Sequence, residues 1–120
     1  MKIVSAHIGT FPVSLKLLTT RSEQAVGFQN VREPSEDMGL LFVYPEVGSK
    51  SFHMRNVSFD IDLICLNINQ DIIDIIRMES ESDKIYTTPS SKNIIEMPSS
   101  WSGSPIVGIG DSVKIVGFKK

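Results

Sequence analysis

Two runs rich in isoleucine and leucine, 62–68 and 72–78, are separated only by Asn69-Gln70-Asp71. That pattern reads as a β-hairpin, with Asn69 the residue best able to take the left-handed conformation at the turn. The rest of the chain is punctuated in the same way. Phe11, Val13, Leu15 and Leu17 alternate with Pro12, Ser14 and Lys16, the period of two that marks a half-buried strand. Further strands are expected over 40–44, entered from Gly39 and stopped by Pro45, and over 51–55. Two more are expected over 93–97, closed by Pro98, and over 112–118, turned by Gly110-Asp111. Residues 80–84 form a polar excursion. Thr20 and Glu23 match a capping box, in which each side chain satisfies a free backbone N–H at a helix start. A short helix over 21–28 follows, with Ala25, Val26 and Phe28 directed to the core. Gly27 weakens it, because glycine costs about 1 kcal/mol relative to alanine inside a helix. The expected fold class is α+β and β-rich, one small domain over residues 1–120. About seven short strands and one or two short helices would form a closed or nearly closed barrel.

Composition limits the partners. With 120 residues, 41% apolar and 22% charged, the chain can bury one ordinary core without a disulfide or structural metal. The net charge of −2 and isoelectric point near 5.6 come with scattered bases, which argues against nucleic acid. Lys119 and Lys120 read as a solvated basic end. Cys65 is the single cysteine, so no intramolecular disulfide forms, and its apolar surroundings predict a buried, inert thiol. The start of the chain lacks the apolar stretch of a signal peptide, and no run approaches the roughly 20 apolar residues that cross a bilayer. The expectation is a soluble cytoplasmic protein with no membrane partner.

Most familiar chemistry is missing from the sequence. His7, His53 and Cys65 have no zinc-site spacing, and no metal or cofactor is expected. There is no G-x-S-x-G, Walker-type loop or dinucleotide fingerprint; Gly108-Ile109-Gly110 reads as a turn. The remaining constellation is the segment 52–62, which sets His53, Arg55, Asn56, Asp60 and Asp62 between strands. Paired carboxylates there could split their pKa values and act as acid and base. The plainer reading pairs Arg55 with Asp62 and lets Asn56 hydrogen-bond backbone in the connecting loop. Trp101 is expected as a lid on the core with its indole N–H bonded to backbone, rather than as an exposed stacking platform.

At these residues the sequence resembles the uncharacterised family known as domain of unknown function 192. The resemblance rests on Ala25-Val26-Gly27-Phe28-Gln29, on Gly39-Leu40-Leu41-Phe42-Val43-Tyr44-Pro45, and on Ser51-Phe52-His53-Met54-Arg55-Asn56-Val57 with Ile61-Asp62. Tyr86, Ile94-Ile95-Glu96, Trp101 and Gly110-Asp111 extend it, so that it covers about 15–116. It implies a compact β-rich fold and no established activity. His53 stands where the family usually has Trp, which would reshape any pocket. Gln70 stands where a hairpin Gly is usual. Ser100 replaces a common Gly, and Ser102-Gly103-Ser104-Pro105 should break the short helix usual there.

The leading functional expectation is a non-catalytic domain that binds a small polar ligand or a protein partner. Its pocket would be edged by Arg55, Asn56, Asp62, Tyr86 and Glu96. The alternative is a hydrolase-like enzyme with Asp62 and Glu96 as its acid–base pair. A third reading is a structural accessory subunit, which would carry a large exposed apolar patch instead of a polar concavity.

Overall fold

The computed structural model describes residues 2–119, so Lys120 of the terminal basic pair lies outside the described residues. The strands are β1 (Ile3–Ile8), β2 (Phe11–Leu18), β3 (Met38–Gly48), β4 (Ser51–Phe52), β5 (Ile61–Leu66), β6 (Ile72–Met78), β7 (Tyr86–Thr87), β8 (Ser91–Pro98) and β9 (Val113–Lys119). One helix, α1 (Arg21–Val26), joins β2 to β3. Seven strands form one sheet in the order β6-β5-β8-β3-β2-β1-β9, and β4 pairs with β7 beside it. All neighbours are antiparallel except β2 and β3, which the helical crossover makes parallel.

The sheet is a curled half-barrel and not a closed one. Its edge strands β6 and β9 meet only near their starts. Asp71 bridges Ser112, Ile72 N–H donates to Asp111 O, and Val113 N–H donates to Gln70 O. Beyond those bonds no ladder joins the two edges among the described residues.

Alternation along the strands feeds two separate cores. Ile64, Leu66, Leu41, Ile95, Met97 and Val113 belong to one, which holds residues from both halves of the sheet and so lies within its curl. Ile61, Leu63, Cys65, Leu40, Phe42 and Ile94 belong to the other. Phe28, Met54 and Val57, from the connections outside the sheet, cover that second face. Strand β5 is therefore buried at every residue. Cys65 is enclosed, and burial pushes its thiol up to about 11.

Several local expectations need revision. β1 was not anticipated, although Val4, Ala6 and Ile8 alternate with Ser5 and His7. The capping box at Thr20 and Glu23 forms, but the helix stops at Val26, capped by Gly27 at φ 50°. Ala25 and Val26 are exposed and only Phe28 turns inward, because α1 docks through Gln24, whose amide donates to Leu18 O and Val43 O. β3 does not stop at Pro45. Proline has no N–H for the ladder, so the strand bulges between Val43 and Gly48 and then resumes pairing with β8. The strand expected over 51–55 keeps only Ser51–Phe52, although Met54 is buried with Phe52 packed nearby. Residues 99–106 are turns, as Gly103, Ser104 and Pro105 suggested.

The hairpin turn places its positive φ at Gln70 (63°), not at Asn69. Asn67 is the reason: its side-chain oxygen accepts from the N–H groups of Asn69 and Asp71 and fixes the turn one residue later. A non-glycine residue pays about 1–2 kcal/mol for that conformation. Glycine avoids it at an entropy cost of roughly 0.5–1 kcal/mol. Gln70→Gly is thus expected to leave stability equal or raised by up to about 1 kcal/mol. Urea unfolding with an unchanged slope reads this directly, and a midpoint shifted clearly downward contradicts it.

Candidate functional site

The five residues singled out from sequence do not converge. Asp62 and Glu96 sit on opposite faces of the sheet. Asp62 pairs with Met97 across the β5–β8 ladder, and Glu96 with Leu63 and Leu40, so the alternation sends the two side chains apart. Arg55 and Asn56 occupy an exposed turn. The Arg55 N–H donates to His53 Nδ1. Asn56 takes φ 61°, and its carbonyl, rather than its side chain, accepts from Asn30 N–H. Tyr86 packs against the second core, and its hydroxyl accepts from Glu79 N–H.

Asp62 does form an ion pair, but with Arg77 rather than Arg55. Arg77 lies directly across the β5–β6 ladder, and its Nε stands 2.7 Å from Asp62 Oδ1. Ser99 donates to the same oxygen at 2.8 Å, while Ser104 (2.7 Å) and the Trp101 indole (3.2 Å) donate to Oδ2. Trp101 is thus buried as expected, yet its N–H is held by a carboxylate and not by backbone. Both oxygens of Asp62 are spent on fastening the 99–104 turn to β5. This is an anchoring network, and it leaves no lone pair for chemistry.

Glu96 has the opposite situation. It is 6% exposed, flanked in the sheet by two leucines, and its side chain takes part in no hydrogen bond or ion pair among the described residues. Every fully enclosed side-chain nitrogen or oxygen among them has a partner, so the unpartnered carboxyl opens onto free space. That space is a cavity of about 350 Å³ between the second face of the sheet, α1 and the segment around β4. Burial pushes the Glu96 carboxyl up to about 8. Gly27 comes close behind it: a Cβ there would sit 3.4 Å from Glu96 Oε1.

The walls follow from local structure. Phe42 and Tyr44 project from β3 on the same side, and Phe52 meets Phe42 edge to face at 5.3 Å. Burial first, then the charge of Glu96, pushes the Tyr44 hydroxyl upward, so it stays protonated. The bulge around Pro45 frees backbone carbonyls, and two lysines collect them. Lys92 Nζ donates to Tyr44 O. Lys50 Nζ donates to the carbonyls of Glu46, Gly48 and Ser91 and stands 4.7 Å over the Tyr44 ring. Burial, then the charge of Lys92, lowers the Lys50 pKa. Arg21 and His53 complete the lining. No group of three or more His, Cys, Asp or Glu among the described residues is placed to hold a metal ion.

Glu96 is the one member of the sequence-derived set that lines this cavity. Its signal was a lone acid inside an apolar run. His53 stood in the polar constellation over 52–62 and as a departure from a family pattern, but not among the five candidate site residues. Gln24, Tyr44 and Lys50 were missed, because nothing in their spacing ties α1 and the β3 bulge to β8.

Comparison with known proteins gives a family and a fold. The sequence pattern of the family DUF192, described as "Uncharacterized ACR", matches residues 4–115, beginning earlier than the resemblance read from motifs and taking in β1. No curated protein matches the chain. A Sinorhizobium meliloti 1021 structure, described as a "putative transcription regulator", is similar at TM-score 0.82 and 18% identity, over 97% of this chain and 94% of that one. A protein of unknown function from Novosphingobium aromaticivorans DSM 12444 is similar at TM-score 0.79 and 18% identity, over 93% of this chain and 83% of that one. No helix among the described residues is long and apolar enough to cross a membrane.

Three variants separate anchor from site. Asp62→Asn turns an amide NH₂ toward donors and is expected to cost about 3 kcal/mol. Arg77→Ala, at a half-exposed partner, should cost less than about 1 kcal/mol. Equal losses by chemical denaturation would contradict this account of the network. Glu96 links stability to pH. Unfolded, its carboxyl ionises near 4.5, whereas folded it holds its proton to about 8. The folded state therefore binds the extra proton in that window, and stability falls as pH rises by up to about 1.4 kcal/mol per unit. Glu96→Gln should remove this slope, so that its advantage over the parent grows from pH 4.5 to 8 and is constant above. Parallel stability–pH curves for the two proteins would count against a protonated Glu96.

Proposed function

From the premise that this chain belongs to the DUF192 family, we propose that it is a small-ligand-binding domain whose site is the cavity ending at Glu96. The observation that carries the reading is a carboxyl almost wholly buried, without a partner, at the end of an aromatic-walled space. A buried polar group left without a hydrogen bond costs roughly 1–3 kcal/mol, and a ligand that bonds to it recovers that cost. The volume of about 350 Å³ lies at the small end of ligand pockets, and a few polar groups among apolar walls is their usual composition.

A hydrolase built on Asp62 and Glu96 loses its basis, because the two carboxylates face different cores. The regulator description belongs to the Sinorhizobium protein. For this chain the net charge of −2 weighs against a nucleic-acid partner. The proposed partner remains a small polar molecule.

A thermal-shift screen of sugars, nucleotides, amino acids and divalent metals tests the assignment. A ligand at a hundredfold its dissociation constant adds about 2.7 kcal/mol to the native state. Supporting ligands raise the melting temperature of the parent and not that of Glu96→Gln. If every stabilising ligand acts equally on both proteins, the site lies elsewhere.

A further inference from the structure

The charged groups lining the cavity are ordered by depth. Glu96 is the only acid, and it is buried. The cations are Arg21, exposed at the start of α1, and the half-buried Lys50. Lys50 has all its N–H groups committed to backbone carbonyls, so it contributes charge but no free donor. Arg21 has no side-chain bond among the described residues, so its planar fork of donors is open to a carboxylate-like group. The rings of Phe28, Phe42, Tyr44 and Phe52 line the same cavity, and aromatic faces attract cations.

We propose that the ligand is a small zwitterion, with an ammonium group directed to Glu96 at the floor and an acid group directed to Arg21 at the mouth. The inference rests on the cavity being the binding site. A simple cation would have to pass Arg21 and Lys50 without compensation, and a simple anion would be held at the rim with no charge to meet the acid at the floor. A molecule carrying both charges satisfies both ends.

The chemistry carries a proton balance. The empty site holds Glu96 protonated at neutral pH. Seating an ammonium group there favours the carboxylate, so about one proton leaves the protein for each ligand bound. Affinity should then rise about tenfold per pH unit up to pH 8 and level off above it. The other charged or titratable groups facing the cavity are Arg21 from α1, Tyr44 from β3, and Lys50 and His53 around β4. Tyr44 stays protonated. The sheet neighbours of Glu96, Leu40 and Leu63, do not titrate.

The test is isothermal titration of the intact chain with ω-amino acids from glycine to 6-aminohexanoate. The alkylamine and alkanoate of each length serve as single-charge controls, and two buffers of different ionisation enthalpy report protons. One chain length is expected to bind about tenfold or more tighter than both of its controls and to release about one proton at pH 7. Glu96→Gln should abolish the release, and Arg21→Gln should erase the advantage over the amine alone. His53→Asn, which removes the imidazole of the wall, should leave about one proton released per ligand bound, whatever it does to the affinity. Melting temperatures of all three variants establish that they are folded. The proposal is overturned if no ω-amino acid outbinds its controls, or if binding releases no proton. A neutral polyol that binds the parent and not Glu96→Gln would overturn the zwitterion while sparing the cavity as the site. Binding of every probe without regard to Glu96 would sink both.

Discussion

A sheet covered on both faces leaves β5 no solvent side, and the period-two alternation of β5 and of residues 94–97 in β8 sends successive side chains toward opposite cores. Polar residues in such strands cannot escape to water, so each must be satisfied where the alternation puts it. Asp62 and Glu96 lie on adjacent strands under this constraint and meet it in opposite ways. The first is surrounded by Arg77, Ser99, Trp101 and Ser104 and becomes an anchor. The second faces two leucines and a glycine and is left to hold its own proton. A carboxyl shielded by burial and given no donor disfavours ionisation, and here that condition coincides with a cavity on the same side of the sheet.

The cavity exists because the cover on that face is thin. α1 is only six residues long and presents a polar side chain, Gln24, to the sheet in place of an apolar stripe. It therefore adds little volume above Phe42 and Glu96. The β3 bulge contributes the opposite wall. Proline interrupts the ladder, carbonyls are released, and Lys50 and Lys92 gather them, which holds Tyr44 and Lys50 over the opening. Two features that would count as defects in an ideal sheet thereby border the cavity.

The similar structures share this architecture at 18% identity. A fold retained over nearly the whole chain says where a site can be built but not what it takes, since function is set by the residues grafted on the scaffold. In this chain the proposed site is lined by one buried acid, four aromatic rings and a cationic rim.

Much of the architecture was written in local pattern. The β5–β6 hairpin, the capping box at Thr20 and Glu23, the buried Cys65 and the alternation of β2 all follow from short-range periodicity and turn chemistry. β1 carried the same signal more faintly, with alanine and histidine among its alternating residues. The motif resemblance to a family also lay in the order of residues. What the sequence could not determine is which faces meet. Arg55 and Arg77 are equally basic and equally near strand ends, and only strand pairing put Arg77 opposite Asp62. Pro45 predicted an ending and produced a bulge, because β8 was there to resume the pairing. Glu96 stood out as an acid in an apolar run, but its partners in the cavity come from α1, β3 and the segment around β4, brought together by the crossover and the curl of the sheet. Sequence carries the period of each element. The environment of a charge depends on contacts between elements distant in the chain, so burial, and with it the chemistry of Glu96, was decided by the tertiary structure alone.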